Sequence, residues 1–146
     1  MGPLRVVARP RGESRSDIRA ALGGPPLTWQ EFLNERPIAV IATARADGTP
    51  HAVPVEVLVR NDKVYVWSQH TSQKARNAMR ARRAGLVGYK GHAFVSVRGP
   101  VIIISIGEPN YDEITRGFLD KYEREETYGN DTLIEITPEH IASDRI

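Results

Sequence analysis

Two runs of β-branched residues, Ile38-Ala-Val-Ile-Ala-Thr43 and His51-Ala-Val-Pro-Val-Glu-Val-Leu-Val-Arg60, flank the turn-forming segment Ala46-Asp-Gly-Thr-Pro50. Such side chains suit a pleated backbone, and Asp-Gly supplies the left-handed conformation of a tight reversal, so the segment reads as a β-hairpin. The pattern then recurs. Asn61-Asp62 turns the chain into Lys63–Ser68, and Ala84–Tyr89 and Ala93–Ile106 form a longer hairpin around Lys90-Gly91, with Gly99-Pro100 marking a bulge or an edge. Thr132–Thr137 adds a sixth strand. Helical signals are fewer. Thr28-Trp-Gln-Glu31 is a capping box that opens a short helix ending before Pro37, with Trp29, Phe32 and Leu33 positioned to plug one end of a barrel. A second helix runs from Ser72 to about Arg83, and a third from Asn110 to about Glu126 spaces Ile114, Phe118, Leu119 and Tyr122 for one face. The fold class that follows is mainly β, a six-stranded antiparallel β-barrel with peripheral helices.

A chain of 146 residues suits one such domain. Residues 1–26, with five arginines and Gly23-Gly-Pro-Pro26, read as a flexible N-terminal arm, leaving 27–146 as the domain.

The segment Ser72-Gln-Lys-Ala-Arg-Asn77 carries the functional signal. Thr71 or Ser72 caps the helix, whose first-turn N–H groups lack intrahelical partners and lie at the positive end of the helix dipole. Such an end attracts anions. Lys74 adds an ammonium in that turn, and Asn77, three residues on, shares its face and has an amide to donate. Together they make a candidate phosphate cradle, although the same spacing fits an ordinary capped surface helix with a solvated lysine.

Charge is distributed unevenly around this segment. From Lys63 to Gly107 there are eight basic residues and no acidic one, whereas from Glu108 to Ile146 eleven acids face four bases. The basic middle favours an anionic ligand, and the acidic end opposes general adhesion to nucleic acid. Helix-turn-helix, zinc-finger and RNP-type patterns are missing, so no nucleic-acid partner is expected. Arg76, Arg80 and Arg83 also fit the solvated face of a helix.

Other chemistries are disfavoured by composition and spacing. Zero cysteines exclude disulfides, thiolate nucleophiles and cysteine-held metals, and fit a reducing cytosol. His51, His70, His92 and His140 show no short metal-ligand spacing, so no metal site is expected. No Gly-x-Ser-x-Gly elbow or Walker loop occurs, and Gly85-x-x-Gly-x-x-Gly91 lacks the strand-to-helix context of a dinucleotide fingerprint. The longest apolar run, Val101–Ile104, is too short to span a bilayer, giving a cytoplasmic expectation without membrane association. Glu56, the one acid of the His51–Arg60 run, can face inward as a buried base or outward; the outward placement is preferred and no catalytic role is assigned.

The order of "ATARADGTPHAVPV", a strand ending in Trp-Ser, "SQKARN", a hairpin containing "FVSVRGPVII", a late helix and "LIEITPEHI" resembles the split β-barrel flavin-binding superfamily typified by pyridoxamine 5′-phosphate oxidase. The likeness covers about residues 28 to 141. The Ser-Gln-Lys-x-x-Asn form and Pro54-Val55 look most similar to the branch that uses the deazaflavin coenzyme F420, which includes biliverdin reductase-like members. This resemblance implies an FMN-binding-like homodimer with the cofactor at the subunit interface. It implies that Lys74 and Asn77 hold phosphate, assisted by Ser68 and Ser72, and that Val53, Pro54 and Val55 lie along the ring. Many flavin-binding members carry an Arg or Lys where this chain has Ser72, and Arg76 or Arg98 is the candidate replacement. The implied activity is hydride transfer between reduced F420 and an unsaturated small-molecule substrate. An FMN-dependent oxidoreductase and a non-catalytic flavin or haem carrier are the alternatives.

Overall fold

The computed structural model describes residues 26–146, so the expected arm at 1–26 lies almost wholly outside the described residues. Helix α1 (Trp29–Asn34) begins with the expected capping box: Thr28 Oγ1 accepts from the Glu31 amide, and Glu31 Oε1 accepts from the Thr28 amide. Eight strands follow where six were expected: β1 (Ala39–Ala44), β2 (Pro50–Val55), β3 (Leu58–Arg60), β4 (Lys63–Ser68), β5 (Arg83–Lys90), β6 (Ala93–Ser105), β7 (Thr132–Ile136) and β8 (His140–Asp144). Helices α2 (Gln73–Ala81) and α3 (Tyr111–Tyr122) lie between β4 and β5 and between β6 and β7.

All strand pairings are antiparallel, in the order β2-β1-β5-β6-β7-β4-β3, with β8 also on β6. β6 belongs to both halves. Its residues 93–100 pair with β5, and Val101–Ser105 pair with β7. Gly99-Pro100 sits at the change of partner and remains in register, so the expected bulge or edge is instead the point where one half-sheet passes into the other. A Cβ at Gly99 would come within 1.9 Å of the Thr137 carbonyl oxygen, so only glycine lets the β7–β8 connection cross here. The Thr137 amide donates to Pro100 O and the Glu139 amide to Arg98 O, anchoring that crossing.

The expected single strand His51–Arg60 is two strands because the chain changes half-sheets at Glu56-Val57. β2 pairs with β1, and β3 pairs with β4. The backbone of Val57, outside both strands, is met by α3: its amide donates to Tyr122 Oη at 3.0 Å, and its carbonyl accepts from Lys121 Nζ. Asn34 deals with the β3 edge by donating to Val59 O at 3.0 Å and accepting from Val59 N at 2.8 Å, as a neighbouring strand would. Asn61 and Asp62, with φ of 55° and 61°, make the tight β3–β4 turn.

Alternation directs Ile41, Val64, Val66, Leu86, Val95, Val97, Ile134 and Ile136 into the barrel, where Phe32 and Leu33 of α1 complete the core. Burying each large apolar side chain contributes about 1.5–3 kcal/mol. A second apolar cluster joins α3 to the sheet, with the Trp67 and Phe118 rings stacked at 4.7 Å. β7, covered on both faces, is buried throughout; its Glu135 accepts from Tyr65 Oη at 2.8 Å. Among the described residues no helix is long and apolar enough to cross a membrane.

The packing separates two glycines. Gly99→Ala should lower stability by about 1–3 kcal/mol through overpacking, whereas Gly85→Ala, whose new Cβ meets nothing nearer than 3.6 Å, should change it by less than about 0.5 kcal/mol. Urea unfolding of both variants measures the contrast; equal midpoints would refute the crossing constraint.

Candidate functional site

Helix α2 starts where β4 ends, and Ser72 is its N-cap, with Oγ accepting from the Ala75 amide at 3.2 Å. Its first turn carries no acidic residue, so nothing on the helix neutralises its positive end. Ser68 is buried beneath the cap with its Oγ 2.7 Å from Ser72 Oγ, which ties the end of β4 to the start of α2. The helix ends at Ala81 rather than Arg83, because Arg82 takes the left-handed conformation (φ 59°) and Arg83 begins β5.

Two residues missed by sequence reasoning fix the approach loop. Asp131 Oδ2 lies 2.6 Å from His70 Nδ1, and its Oδ1 accepts from the His70 amide at 2.9 Å. The Asp131 amide in turn donates to Ser68 O, so loop 69–72 is clamped to the start of β7. The His70 hydrogen bond holds the Asp131 carboxyl below its usual range. No short-range motif announces this pair, because its members are 61 residues apart.

Structure divides the basic strip into engaged and unengaged cations. Lys63 pairs with Glu135, Arg76 donates to Thr71 O and Gln73, Arg80 to Ala44 O, Arg82 to Met79 O, and Arg83 pairs with Glu139. Lys74 and Arg98 make neither a hydrogen bond nor an ion pair among the described residues. Lys74 is also half-buried, and desolvation lowers its pKa. A partly dehydrated ammonium with its donors open beside a helix N-terminus is chemically suited to an anion.

Asn77 lies elsewhere than on the surface beside Lys74. It is fully buried, donates Nδ2 to Thr43 Oγ1 at 3.1 Å and accepts from Gln73 Nε2 at 2.7 Å. Its amide joins α2 to β1 inside the fold. Ser68 and Ser72 are likewise already bonded to each other, so Lys74 is the site residue with its full donor capacity open.

Val53, Pro54 and Val55 form the end of β2, which among the described residues is an edge strand paired only with β1. Val55 is buried, Val53 half-buried and Pro54 exposed. Pro54 lines a cavity of about 400 Å³ with Pro37, Ile38, Val40 and Tyr89, and Arg36 and Lys90 add two cations to its wall. Ile38 and Tyr89 remain 49% and 60% exposed, leaving an apolar sheet face uncovered beside β2. Just behind this edge, Glu56 points away from the barrel core into which its neighbours Val55 and Val57 are packed, yet it is covered rather than solvated. It accepts from Trp67 Nε1 at 2.9 Å and forms a two-pronged pair with Arg124 at 2.6 Å, because α3 brings Arg124 over the β2–β3 junction. The neighbouring Lys121, largely buried, has its pKa pushed down to about 8 by desolvation, with Arg36 adding to the effect.

A split antiparallel barrel with an unpartnered cation at a helix N-terminus and an open apolar edge defines a scaffold suited to an anionic, partly apolar ligand. The Pyridoxamine 5'-phosphate oxidase family matches residues 27–143, and the chain belongs to that family. No curated protein matches it. Among solved structures, an F420 reductase is 20% identical with a TM-score of 0.64, the match covering 81% of this chain and 98% of that one. A conserved hypothetical protein from Mycobacterium tuberculosis is 21% identical with a TM-score of 0.65, covering 78% and 80% of the two chains. The haem storage protein from Vibrio cholerae is 12% identical with a TM-score of 0.61, covering 77% and 89%. At these identities the likeness is one of fold.

Because the Asp131 pKa is lowered, its contribution to the clamp is complete above the ordinary aspartate value of 3.8 and disappears as pH falls through the lower folded-state value. The His70 amide resonance should therefore titrate with a midpoint below 3.8 and lose that transition in Asp131→Ala. A midpoint at or above the ordinary value would show that the clamp does not form.

Proposed function

We propose that the protein is an F420-dependent oxidoreductase that moves a hydride between the reduced deazaflavin and an unsaturated organic substrate, as a homodimer with the cofactor at the subunit interface. The observation that carries this reading is the half-buried ammonium of Lys74, without a hydrogen-bond or ion-pair partner among the described residues, at the N-terminus of α2 in a family of flavin-binding split barrels. The residues present fit the group. Lys74 and the open amides of the α2 first turn would take the phosphate, while Ser68 and Ser72 shape the turn and can exchange their mutual hydrogen bond for one to the ligand. Asn77 acts through Thr43 and Gln73, holding α2 against β1.

Val53, Pro54 and Val55 would lie along the ring, where the unpaired side of β2 offers backbone hydrogen bonds and the Pro54 cavity offers an apolar wall. A partner subunit covering Ile38 and Tyr89 would exclude water from that wall. When bound, the deazaflavin supplies the hydride chemistry, so the chain needs only to bind, orient and shield it. Glu56, Arg124, Lys121 and Tyr122 hold the β2–β3 junction and thereby the level of the ring-bearing edge. The fluorescent F420 reading has FMN as its close alternative, supported by the family to which the chain belongs. A neighbour named as a haem storage protein supports a carrier reading instead, in which binding occurs without turnover.

Denaturing the purified protein identifies any released chromophore, and parallel fluorescence titrations with F420 and FMN then rank the two; stoichiometric F420 binding tighter than FMN is expected. Binding of neither would remove the assignment. Lys74→Ala should weaken the preferred cofactor by about 1.5–3 kcal/mol with circular dichroism unchanged. Affinity should also fall as pH rises through the depressed Lys74 pKa, because an anion prefers the protonated amine. A flat alkaline profile and unchanged Lys74→Ala affinity would place the phosphate elsewhere.

A further inference from the structure

The second unengaged cation lies on a different wall. Arg98 lines a pocket of about 330 Å³ between β1, β5 and β6, together with Ala42, Ala84, Gly85, Gly99 and Arg83. In register, Ala42 faces Gly85 and Gly85 faces Arg98, so a methyl group, a hydrogen and a guanidinium stand side by side across three strands. The floor is therefore flat and apolar, with a cation at one side.

Gly85 has neither of the usual structural reasons to be glycine. Its φ is not positive, and a Cβ there would meet only Val97 O at 3.6 Å and the Arg98 Cβ at 3.8 Å, ordinary contacts. Glycine in a strand interior without such reasons marks a place where a ligand or another backbone approaches closely. The electrostatics favour a ligand with one anionic group. Arg83 is bonded to Glu139 at 2.7 Å, a contact that holds that carboxyl below its usual range; Arg98 feels the same carboxylate only through space and makes no hydrogen bond or ion pair among the described residues. The pocket adjoins the cradle helix: Thr43 lines it and accepts from Asn77, and Ala44 lines it and accepts from Arg80.

We propose that this pocket is a subsite for the carboxylate of a flat, otherwise apolar organic molecule, with Arg98 as its anion ligand and the Ala42–Gly85 floor under its body. Identification of that molecule as the hydride acceptor rests on the proposed function; its binding does not. A guanidinium engages a carboxylate through two parallel hydrogen bonds, which orients a planar ligand as well as attracting it.

The test is calorimetry of the full-length chain with 2-naphthoate and, as the uncharged control, naphthalene-2-methanol. The acid should bind more tightly than the alcohol. Arg98→Ala should weaken the acid by about 10–100-fold, to the level of the alcohol, and Arg98→Lys should restore part of the loss. Gly85→Val should weaken both ligands while leaving thermal unfolding and the sedimentation coefficient unchanged. Equal binding of acid and alcohol, no effect of Arg98→Ala, or dissociation of an oligomer by Gly85→Val would overturn the subsite, the last by giving the floor to a second subunit. Weakened flavin binding in Arg98→Ala would also overturn it, by assigning Arg98 to the cofactor. Selective naphthoate binding in a protein that binds no flavin would retain the subsite and remove the cofactor reading; flavin binding without naphthoate selectivity would do the reverse.

Discussion

Continuity of β6 is the constraint on which the rest depends. One strand supplies edges to both half-sheets, and its change of partner at Gly99-Pro100 sets where β5 begins, at Arg83, and where β7 ends, at Ile136. The Thr137 carbonyl can cross there only because Gly99 has no side chain. Opposite this seam the barrel is open between β2 and β3, and the opening is managed by Asn34, Lys121 and Tyr122 rather than by strand pairing. Among the described residues the arrangement leaves β2 paired only with β1, beside a cavity lined by Pro54, Ile38 and Tyr89 together with Arg36 and Lys90, and it leaves Lys74, at the β4-to-α2 turn, without a hydrogen bond or ion pair.

Electrostatics then divides the basic strip. In sequence Lys63, Arg76, Arg80 and Arg83 belong to the same field as Lys74 and Arg98. Folding gives the first four carbonyl, amide or carboxylate partners, whereas the last two have none in hydrogen-bond or ion-pair contact among the described residues. A guanidinium bonded to a carbonyl serves the fold, whereas a dehydrated ammonium with no such bond remains available to an anion. The local absence of partners, rather than the total charge, makes Lys74 and Arg98 the residues of interest.

Elements governed by near neighbours were legible in the sequence. Thr28 and Glu31 cap one helix, Asn61-Asp62 turns one hairpin, the turn expected around Lys90-Gly91 forms at Gly91-His92, and Ser72 caps α2, all within four residues. Features decided by distant partners were not. The break in His51–Arg60 depends on Lys121 and Tyr122, more than 60 residues away, and nothing in an unbroken β-branched run signals it. Every residue of β8 is exposed and none is packed into the core, so its backbone pairing with β6 left no alternating apolar pattern to read. Helical spacing placed Asn77 on the Lys74 face but carried no information that Thr43 would cover it. Alternation likewise could not foresee that Arg124 and Trp67 would cover Glu56 on the outer face.

The central claim is that Lys74 grips the anionic end of a flavin-type cofactor whose ring lies along β2. A crystal structure of the protein with its preferred flavin tests this most directly. The account predicts a phosphate oxygen within about 3 Å of Lys74 Nζ and the ring beside Val53–Val55. A phosphate seated on Arg98, or a ring bound away from the β2 edge, would contradict it.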